Sequence, residues 1–221
     1  MGFRAEVRRA LAAPVGGAMG RIFHVPAMTA IVAGGRDGER ETVALSELLD
    51  ALVRVGIPRG RQFVLLAHVP PGDDVLARMR STLGVPVLPH DPASRSRWAA
   101  GTLSNGVVLE LDDELREAEE IVLAGACTPD AAWGLRGGPA ALWPGLGSEG
   151  ALAAHAATVP AAAAERAAFA LAGAREALVH VPSAFSLLWD AHDPPAVRAG
   201  ATSALIDACE ADGWFRARAA S

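Results

Sequence analysis

Short apolar runs alternate with segments of helical periodicity along this chain, and this alternation restricts its fold more than any other feature. Residues 28–33 form an apolar run that the Gly34-Gly35 pair closes, which is typical of a buried strand that ends in a loop. Residues 42–55 then place leucines at helical spacing before Gly56. Repetition of this order predicts an α/β fold: a single domain with a doubly wound, mainly parallel sheet and helices on both faces.

The rest of the chain continues the pattern. Further strands are predicted at residues 62–67, 85–88, 106–111, 121–124 and 178–181, with another apolar run at 185–189. Further helices are predicted at 73–83, 112–119, around Ala151 and Ala161, and from 195 to about 211. Residues 91–105 are predicted to be a loop, and the long, Gly- and Pro-rich segment 125–150 indicates a functional loop. Residues 1–27 are predicted to be an irregular N-terminal segment before a domain at 28–221.

Composition excludes several classes of partner. The chain has 221 residues, of which 51% are hydrophobic, enough apolar surface for a sizeable core. The formal net charge of −5 and the lack of a basic block argue against nucleic acid as a partner. No apolar run reaches membrane-spanning length, and Pro14, Gly16 and Gly17 interrupt the N-terminal apolar segment, so it lacks a signal-peptide core. We therefore expect no membrane partner and a cytoplasmic location.

The absence of two residue types limits the chemistry. All 20 basic residues are arginine, so the chain has no lysine, and it also has no tyrosine. Without lysine, neither an internal pyridoxal-phosphate aldimine nor a lysine-dependent P-loop can form. Cys127 and Cys209 lie far apart without CxxC spacing, so we expect buried thiols rather than a zinc knuckle or a disulfide framework.

Polar side chains follow several of the predicted strands. His68 follows the strand at 62–67, His90 follows the strand at 85–88, and Asp130 lies shortly after the strand at 121–124. In open parallel sheets, ligands bind at the carboxyl ends of the strands. These residues are therefore candidates for a ligand site.

The long glycine-rich segment also carries a family resemblance. It reads Gly-Ala-Cys-Thr-Pro-Asp at 125–130, Trp-Gly-Leu-Arg-Gly-Gly at 133–138 and Leu-Trp-Pro-Gly at 142–145. Together with residues 48–58, His68, the His90-Asp91 pair and the segments 167–173 and 193–200, it resembles the N-terminal domain of nickel-pincer lactate racemases. The resemblance runs from about residue 28 to 211 and stops where the family's second domain would begin.

The resemblance implies hydride transfer at a small 2-hydroxy acid, with two histidines as acid and base, a third on nickel, and an arginine on the carboxylate. His68 falls on the first acid/base position, Asp130 on the second, and His155 close to the nickel-ligand position. The lysine that tethers the pincer falls on Ala140. The carboxylate clamp falls on Arg36 or Arg40, and we prefer Arg36.

Because alanine cannot form the thioamide link, we expect no covalently attached cofactor, no nickel-pincer nucleotide and no lactate racemase activity of the usual kind. The sequence is compatible with a loosely bound metal ion, although His155 alone does not make a metal site.

Several of these residues also have simpler interpretations. Asp130 after a proline is typical of a turn, and acid/base work there would need a raised pKa. Trp133 and Trp143 would either wall a ligand pocket or fill the space of a lost cofactor. Arg136 with the Gly137-Gly138 pair would form an anion-binding turn, although such turns are common.

Two hypotheses follow. The first is a diverged, pincer-independent relative of lactate racemases with a pocket for a small anionic organic molecule, in which His68 as base and Asp130 as acid would carry an isomerisation or epimerisation. In this pocket Arg36, Trp133, Arg136, Gly137 and Gly138 would contact the ligand. The alternative is a non-catalytic pseudo-enzyme that binds a ligand or a partner subunit. The sequence is compatible with a homo-oligomer in either case.

Overall fold

The computed structural model describes residues 2–25, 27–34, 38–67, 72–190 and 195–215, except the side chains of residues 163 and 164. Its strands are β1 (Thr29–Ala33), β2 (Gln62–Leu66), β3 (Val87–Pro89), β4 (Arg97–Thr102), β5 (Val108–Asp112), β6 (Glu120–Ala126), β7 (Thr128–Asp130), β8 (Gly134–Arg136), β9 (Phe185–Trp189) and β10 (Val197–Ala201). Its α-helices are α1 (Phe3–Ala12), α2 (Gly38–Arg54), α3 (Asp73–Leu83), α4 (Pro139–Leu142), α5 (Glu149–Ala156), α6 (Ala163–His180) and α7 (Thr202–Ala211).

Six of these strands form one mainly parallel sheet in the order β10-β9-β6-β1-β2-β3. β1 lies at its centre and pairs in parallel with β2 and β6, while β3 and β9 extend the parallel part on either side. β10 is antiparallel to β9 and forms one edge. The predicted strands at 28, 62, 85 and 121 thus share one sheet, which confirms the predicted fold class.

Helices cover both faces of the sheet because the central strands are apolar on both sides. On one face, Ile31 and Val64 pack in a core with α1, α2 and α3. On the other face, Val32 and Leu65 pack against the β4–β5 hairpin, α4 and α6. A third cluster between β9, α6 and α7 includes the two buried cysteines, Cys127 and Cys209. No described helix has the length and hydropathy needed to cross a membrane.

The segment predicted as a loop at 91–105 contains a strand, so that prediction is wrong in part. β4 pairs with β5 in an antiparallel hairpin that stands apart from the main sheet. Its turn contains Asn105-Gly106, where the N–H of Gly106 donates to the carbonyl of Leu103. An Asn-Gly pair between two extended segments is a strong hairpin signal, and the sequence interpretation overlooked it.

Three other assignments also differ from the prediction. The strand predicted at 178–181 is the end of α6, which buries Ala170, Ala174 and Ala177 at helical spacing. The last predicted helix begins instead as β10, and α7 starts only at Thr202. The N-terminal segment predicted to be irregular contains α1, whose buried face includes Val7 and packs against α2 and β10.

Candidate functional site

The carboxyl ends of the parallel strands lie along one edge of the sheet. Gly34 follows β1, Ala67 follows β2 and Cys127 follows β6 at this edge. Two predicted site residues follow these positions: Arg36 comes after Gly34, and His68 comes after Ala67. Both lie outside the described residues. The remaining predicted site residues are described, and they follow β6.

Asp130 closes the turn of the β7–β8 hairpin. Its Oδ1 accepts hydrogen bonds from the backbone N–H groups of Ala132 and Trp133, each 2.9 Å long. Its Oδ2 lies 2.7 Å from Nη2 of Arg136, on the opposite strand of the hairpin. Both carboxylate oxygens therefore take part in holding the hairpin together.

These contacts also determine the charge of Asp130. Burial alone would raise the pKa of its carboxyl group, but the hydrogen bond from Trp133, the charge of Arg136 and the hydrogen bond from Ala132 outweigh burial, and the pKa is lowered. A general acid needs the opposite shift. The geometry therefore favours the turn-forming interpretation of Asp130 over the acid/base hypothesis.

Arg136 is partly buried and has an unused donor. Its side chain is 16% exposed, and its Nε has no hydrogen-bond partner among the described residues. Gly137 and Gly138 follow with φ values of 72° and 52°. The Cα of Gly137 lies 3.8 Å from the positions that a Cβ on Gly34 or Gly125 would take. Three backbone segments thus meet at Gly137, directly after Arg136 in the chain, with little space between them for side chains.

His155 lies within a group of aromatic side chains that we call the aromatic cluster: Trp133, Trp143, His155 and Phe169. The imidazole stacks nearly parallel to Trp133 and to Phe169, with ring centroids 5.6 and 5.3 Å away. Trp143 meets it edge to face, with centroids 5.2 Å apart. His155 is 1% exposed, and burial lowers its pKa. Burial therefore favours the neutral form of the imidazole.

The two tryptophans of the cluster differ in burial. Trp143 is fully buried and packs in the core with Leu142 and Ala177, so it fills space. Trp133 is only partly buried. One ring therefore belongs to the core, and the other covers His155 at the surface of the hairpin.

The site does not fit the cofactor that the resemblance implies. The chain has no lysine, and Ala140, at the position of the tether, is 0% exposed within the cluster between α6 and α7. In the described part of the chain, the ring of His155 contacts the three aromatic side chains of Trp133, Trp143 and Phe169. Among the described residues, no three His, Cys, Asp or Glu side chains are grouped closely enough to hold a metal ion.

One acidic residue at this edge was not identified from the sequence. Glu41, in the first turn of α2, is 2% exposed, and its Oε1 lies 3.6 Å from the position of a Cβ on Gly34. The sequence signal that could have identified Glu41 is its position directly after the loop that follows β1. An acidic residue in a first helical turn is so common that this signal is weak.

His90 belongs to a separate network. Its Nδ1 lies 2.6 Å from Oδ2 of Asp112, and its Nε2 lies 3.0 Å from the carbonyl oxygen of Gly147. Asp112 also pairs with Arg97. His90 and His155 therefore do not meet in one cavity: the first fastens the start of α5 to the β4–β5 hairpin, and the second lies in the aromatic cluster.

Two pockets lie away from this edge. One of about 380 Å³ is at the amino end of β6, where Trp98, Arg116 and Glu120 line it. Another of about 300 Å³ lies between α1 and α2, beside Arg8 and Arg54. Neither contains a predicted site residue, so the candidate site rests on the side chains at the carboxyl edge.

The fold is similar to that of a lactate racemase. The apoprotein of lactate racemase from Thermoanaerobacterium thermosaccharolyticum superposes with a TM-score of 0.73 at 20% sequence identity, over 95% of this chain and 55% of that chain. This chain thus spans about half the length of that enzyme. No family model matches the sequence, and no curated protein matches it. The chain therefore has a lactate-racemase-like fold.

Proposed function

We propose that this chain binds a small organic anion at the carboxyl edge of its sheet, without a pincer cofactor and without proton transfer at Asp130. The observation that carries the proposal is the unused Nε donor of the partly buried Arg136. A buried charged donor is costly unless a partner satisfies it, and a carboxylate is the partner that a guanidinium matches best.

The backbone beside Arg136 supports the same ligand. Gly34, Gly125 and Gly137 approach each other within van der Waals distances, and a side chain on Gly137 would overlap the carbonyl oxygen of Ala126. Glycine-rich turns of this kind let backbone N–H groups approach an anion.

Asp130 limits what the bound molecule can undergo. Its carboxylate is engaged by two backbone N–H groups and by Arg136, and its pKa is lowered, so it supplies no proton near neutral pH. Asp130 instead holds Nη2 of Arg136, while Nε, on the same edge of the guanidinium, has no partner among the described residues and can still donate to a ligand. The proposal therefore corresponds to the binding alternative rather than to an isomerase or epimerase.

Isothermal titration calorimetry with D-lactate, L-lactate, glycolate and acetate tests the proposal, with lactamide as the uncharged probe. We expect at least one carboxylate to bind and lactamide not to bind. Arg136→Gln should lose that binding and should also lower the melting temperature, because it breaks the ion pair with Asp130, so binding is measured well below the melting temperature of the variant. Arg175→Gln is the matched control, since Arg175 pairs with Asp207 and Glu210 of α7 instead of with Asp130.

Three outcomes would count against the proposal. Binding of none of the four carboxylates would contradict it, as would equal binding by Arg136→Gln and the wild-type chain. Interconversion of D- and L-lactate, followed by chiral chromatography, would contradict the non-catalytic part and favour an isomerase. His68→Ala, from the segment after β2, should weaken carboxylate binding without unfolding the chain if His68 contributes to the same site.

A further inference from the structure

The buried imidazole of His90 has an acceptor opposite each of its two ring nitrogens. Nδ1 lies 2.6 Å from Oδ2 of Asp112, and Nε2 lies 3.0 Å from the carbonyl oxygen of Gly147. A neutral imidazole carries one N–H, so it can donate to only one of these oxygens. The other nitrogen would then turn its lone pair toward an oxygen lone pair, although the side chain of His90 is only 2% exposed.

Neither of the two other arrangements removes this conflict. Turning the ring over exchanges each nitrogen with a ring carbon, so both oxygens would then face C–H groups and lose these hydrogen bonds. A protonated Asp112 could donate to Nδ1, but its Oδ1 pairs with Arg97, and a neighbouring positive charge favours the ionised carboxylate. Both contacts of His90 are therefore satisfied only when both ring nitrogens carry protons.

The charges tied to this network balance when the ring of His90 is protonated. Glu110 and Asp112 lie two residues apart on β5, so their side chains project from the same face of that strand. Glu110 accepts from the hydroxyl of Ser148, the N-cap residue of α5, and Asp112 pairs with Arg97. An imidazolium adds the second positive charge beside these two carboxylates. Three further acidic residues of the neighbouring segments form no ion pair with the imidazole: Asp91, Asp113 and Glu149.

We propose that His90 is a buried imidazolium at neutral pH and acts as a pH-sensitive latch between β5 and the segment that enters α5. As a cation it donates to Asp112 and to Gly147 at the same time. After losing one proton it can keep only one of these hydrogen bonds, so the residues before Ser148 are held less tightly to the β4–β5 hairpin. This inference does not depend on carboxylate binding at Arg136.

The latch gives the stability a definite dependence on pH. A histidine of the unfolded chain titrates near pH 6.5, so above about that pH the unfolded chain releases a proton that the folded chain keeps. The free energy of unfolding then falls as the pH rises, because the folded state binds more protons than the unfolded state. The contribution of His90 is therefore fully present below about pH 6.5 and is lost on the alkaline side.

NMR spectroscopy of the full chain with isotopically labelled histidine tests the protonation state directly. At pH 7.5 we expect both ring nitrogens of His90, assigned through the backbone, to have the chemical shifts of protonated nitrogens. The exposed ring of His24, titrated in the same spectra, supplies the reference shifts of a neutral and a charged imidazole. One protonated and one bare nitrogen in His90 at this pH would overturn the proposal.

Urea denaturation at pH 6.5 and pH 8.5 tests the latch itself. We expect the wild-type chain to unfold at a lower urea concentration at pH 8.5. His90→Gln should be less stable at pH 6.5 but should show a smaller decrease between the two pH values, because its amide does not titrate. His24→Gln is the matched control and should keep the wild-type decrease. An equal decrease in His90→Gln and the wild-type chain would contradict the latch. If His90→Gln does not fold, a wild-type chain that is equally stable at both pH values would contradict it as well.

Discussion

The imidazole of His90 and the carboxylate of Asp112 form a buried pair, with Nδ1 2.6 Å from Oδ2. The other ring nitrogen faces the carbonyl oxygen of Gly147, which can only accept a hydrogen bond. Both ring nitrogens therefore face acceptors. Arg97 shares the second oxygen of Asp112, so a single carboxylate holds two partners at the junction of β5 with the start of α5.

Asp112→Asn should be strongly destabilising, because it removes the charge that pairs with Arg97 and one of the two buried oxygens that contact Arg97 and His90. Breaking a buried pair by removing one partner costs about 3–5 kcal/mol. Urea denaturation, with the change in midpoint converted through an unchanged slope, measures this loss.

Asp207→Asn is the control for that change. Asp207 pairs with Arg175, but its side chain is 67% exposed. Exposed pairs contribute about 0–1 kcal/mol, so this variant should unfold at nearly the wild-type urea concentration. Similar losses in the two variants would show that the His90 network contributes no more than a surface pair does.

The stability of the protein should decrease on acidification because of His155. Burial lowers the pKa of His155 in the folded chain, whereas in the unfolded chain it titrates near 6.5. Above about pH 6.5 the ring is neutral in both states and no penalty arises. Below that pH the unfolded state binds a proton that the folded state does not, so the free energy of unfolding falls until the lowered folded pKa is reached.

His155→Phe should remove this part of the pH dependence while keeping an aromatic ring in the cluster. The measurement is urea denaturation of both chains at pH 7.5 and pH 5.5. His24→Gln serves for comparison, because His24 has a side chain that is 94% exposed, and this variant should keep the wild-type decrease. A decrease of the same size in His155→Phe would assign the acid sensitivity to other groups.

The main sheet is predictable from the sequence because its central strands are buried on both faces and read as continuous apolar runs. β1, β2 and β6 are such runs. β10 escaped prediction because Val197–Ala201 mixes valine, arginine, alanine and glycine, a composition without a strong strand preference. The end of α6 was assigned to a strand because a segment as short as Leu178–Val181, with three apolar residues, fits either periodicity.

The candidate site is predictable only in part. The turn formed by Asp130 and the Arg136-Gly137-Gly138 segment follow from local sequence, since proline, aspartate and glycine have local conformational preferences. The aromatic cluster does not, because Trp133, Trp143 and Phe169 come from a hairpin, a loop and a helix that meet only in the folded chain.

The isolated protein should carry no covalent pincer. The expected intact mass is that of the sequence, because no lysine is present to form the thioamide link.

Ala140→Lys should not create a tether but should destabilise the chain, because position 140 is 0% exposed and burying an unpaired ammonium group is costly. Mass spectrometry and thermal unfolding check these two statements. A nicotinate-derived mass increase in the wild-type chain would contradict the prediction of an unmodified mass. Unchanged stability of Ala140→Lys would contradict the predicted destabilisation.

Gly137→Ala should disrupt the carboxyl edge far more than an ordinary glycine substitution does. Gly137 has a φ of 72°, a region that alanine rarely adopts, and a Cβ there would overlap the backbone carbonyl of Ala126 at the end of β6.

Gly106 in the β4–β5 turn is the control that separates the conformational penalty from the steric clash. Its φ is 82°, but a Cβ there meets nothing within 4 Å. Gly106→Ala should cost only the conformational penalty, about 1–2 kcal/mol. Gly137→Ala adds a clash with backbone that cannot rotate away, so its loss should be at least twice as large, and any carboxylate binding at Arg136 should disappear even where the chain remains folded. Equal losses of stability in the two variants, with binding intact in both, would mean that the backbone after β8 can shift to accept a methyl group. In that case the close approach of Gly34, Gly125 and Gly137 is not required for the site.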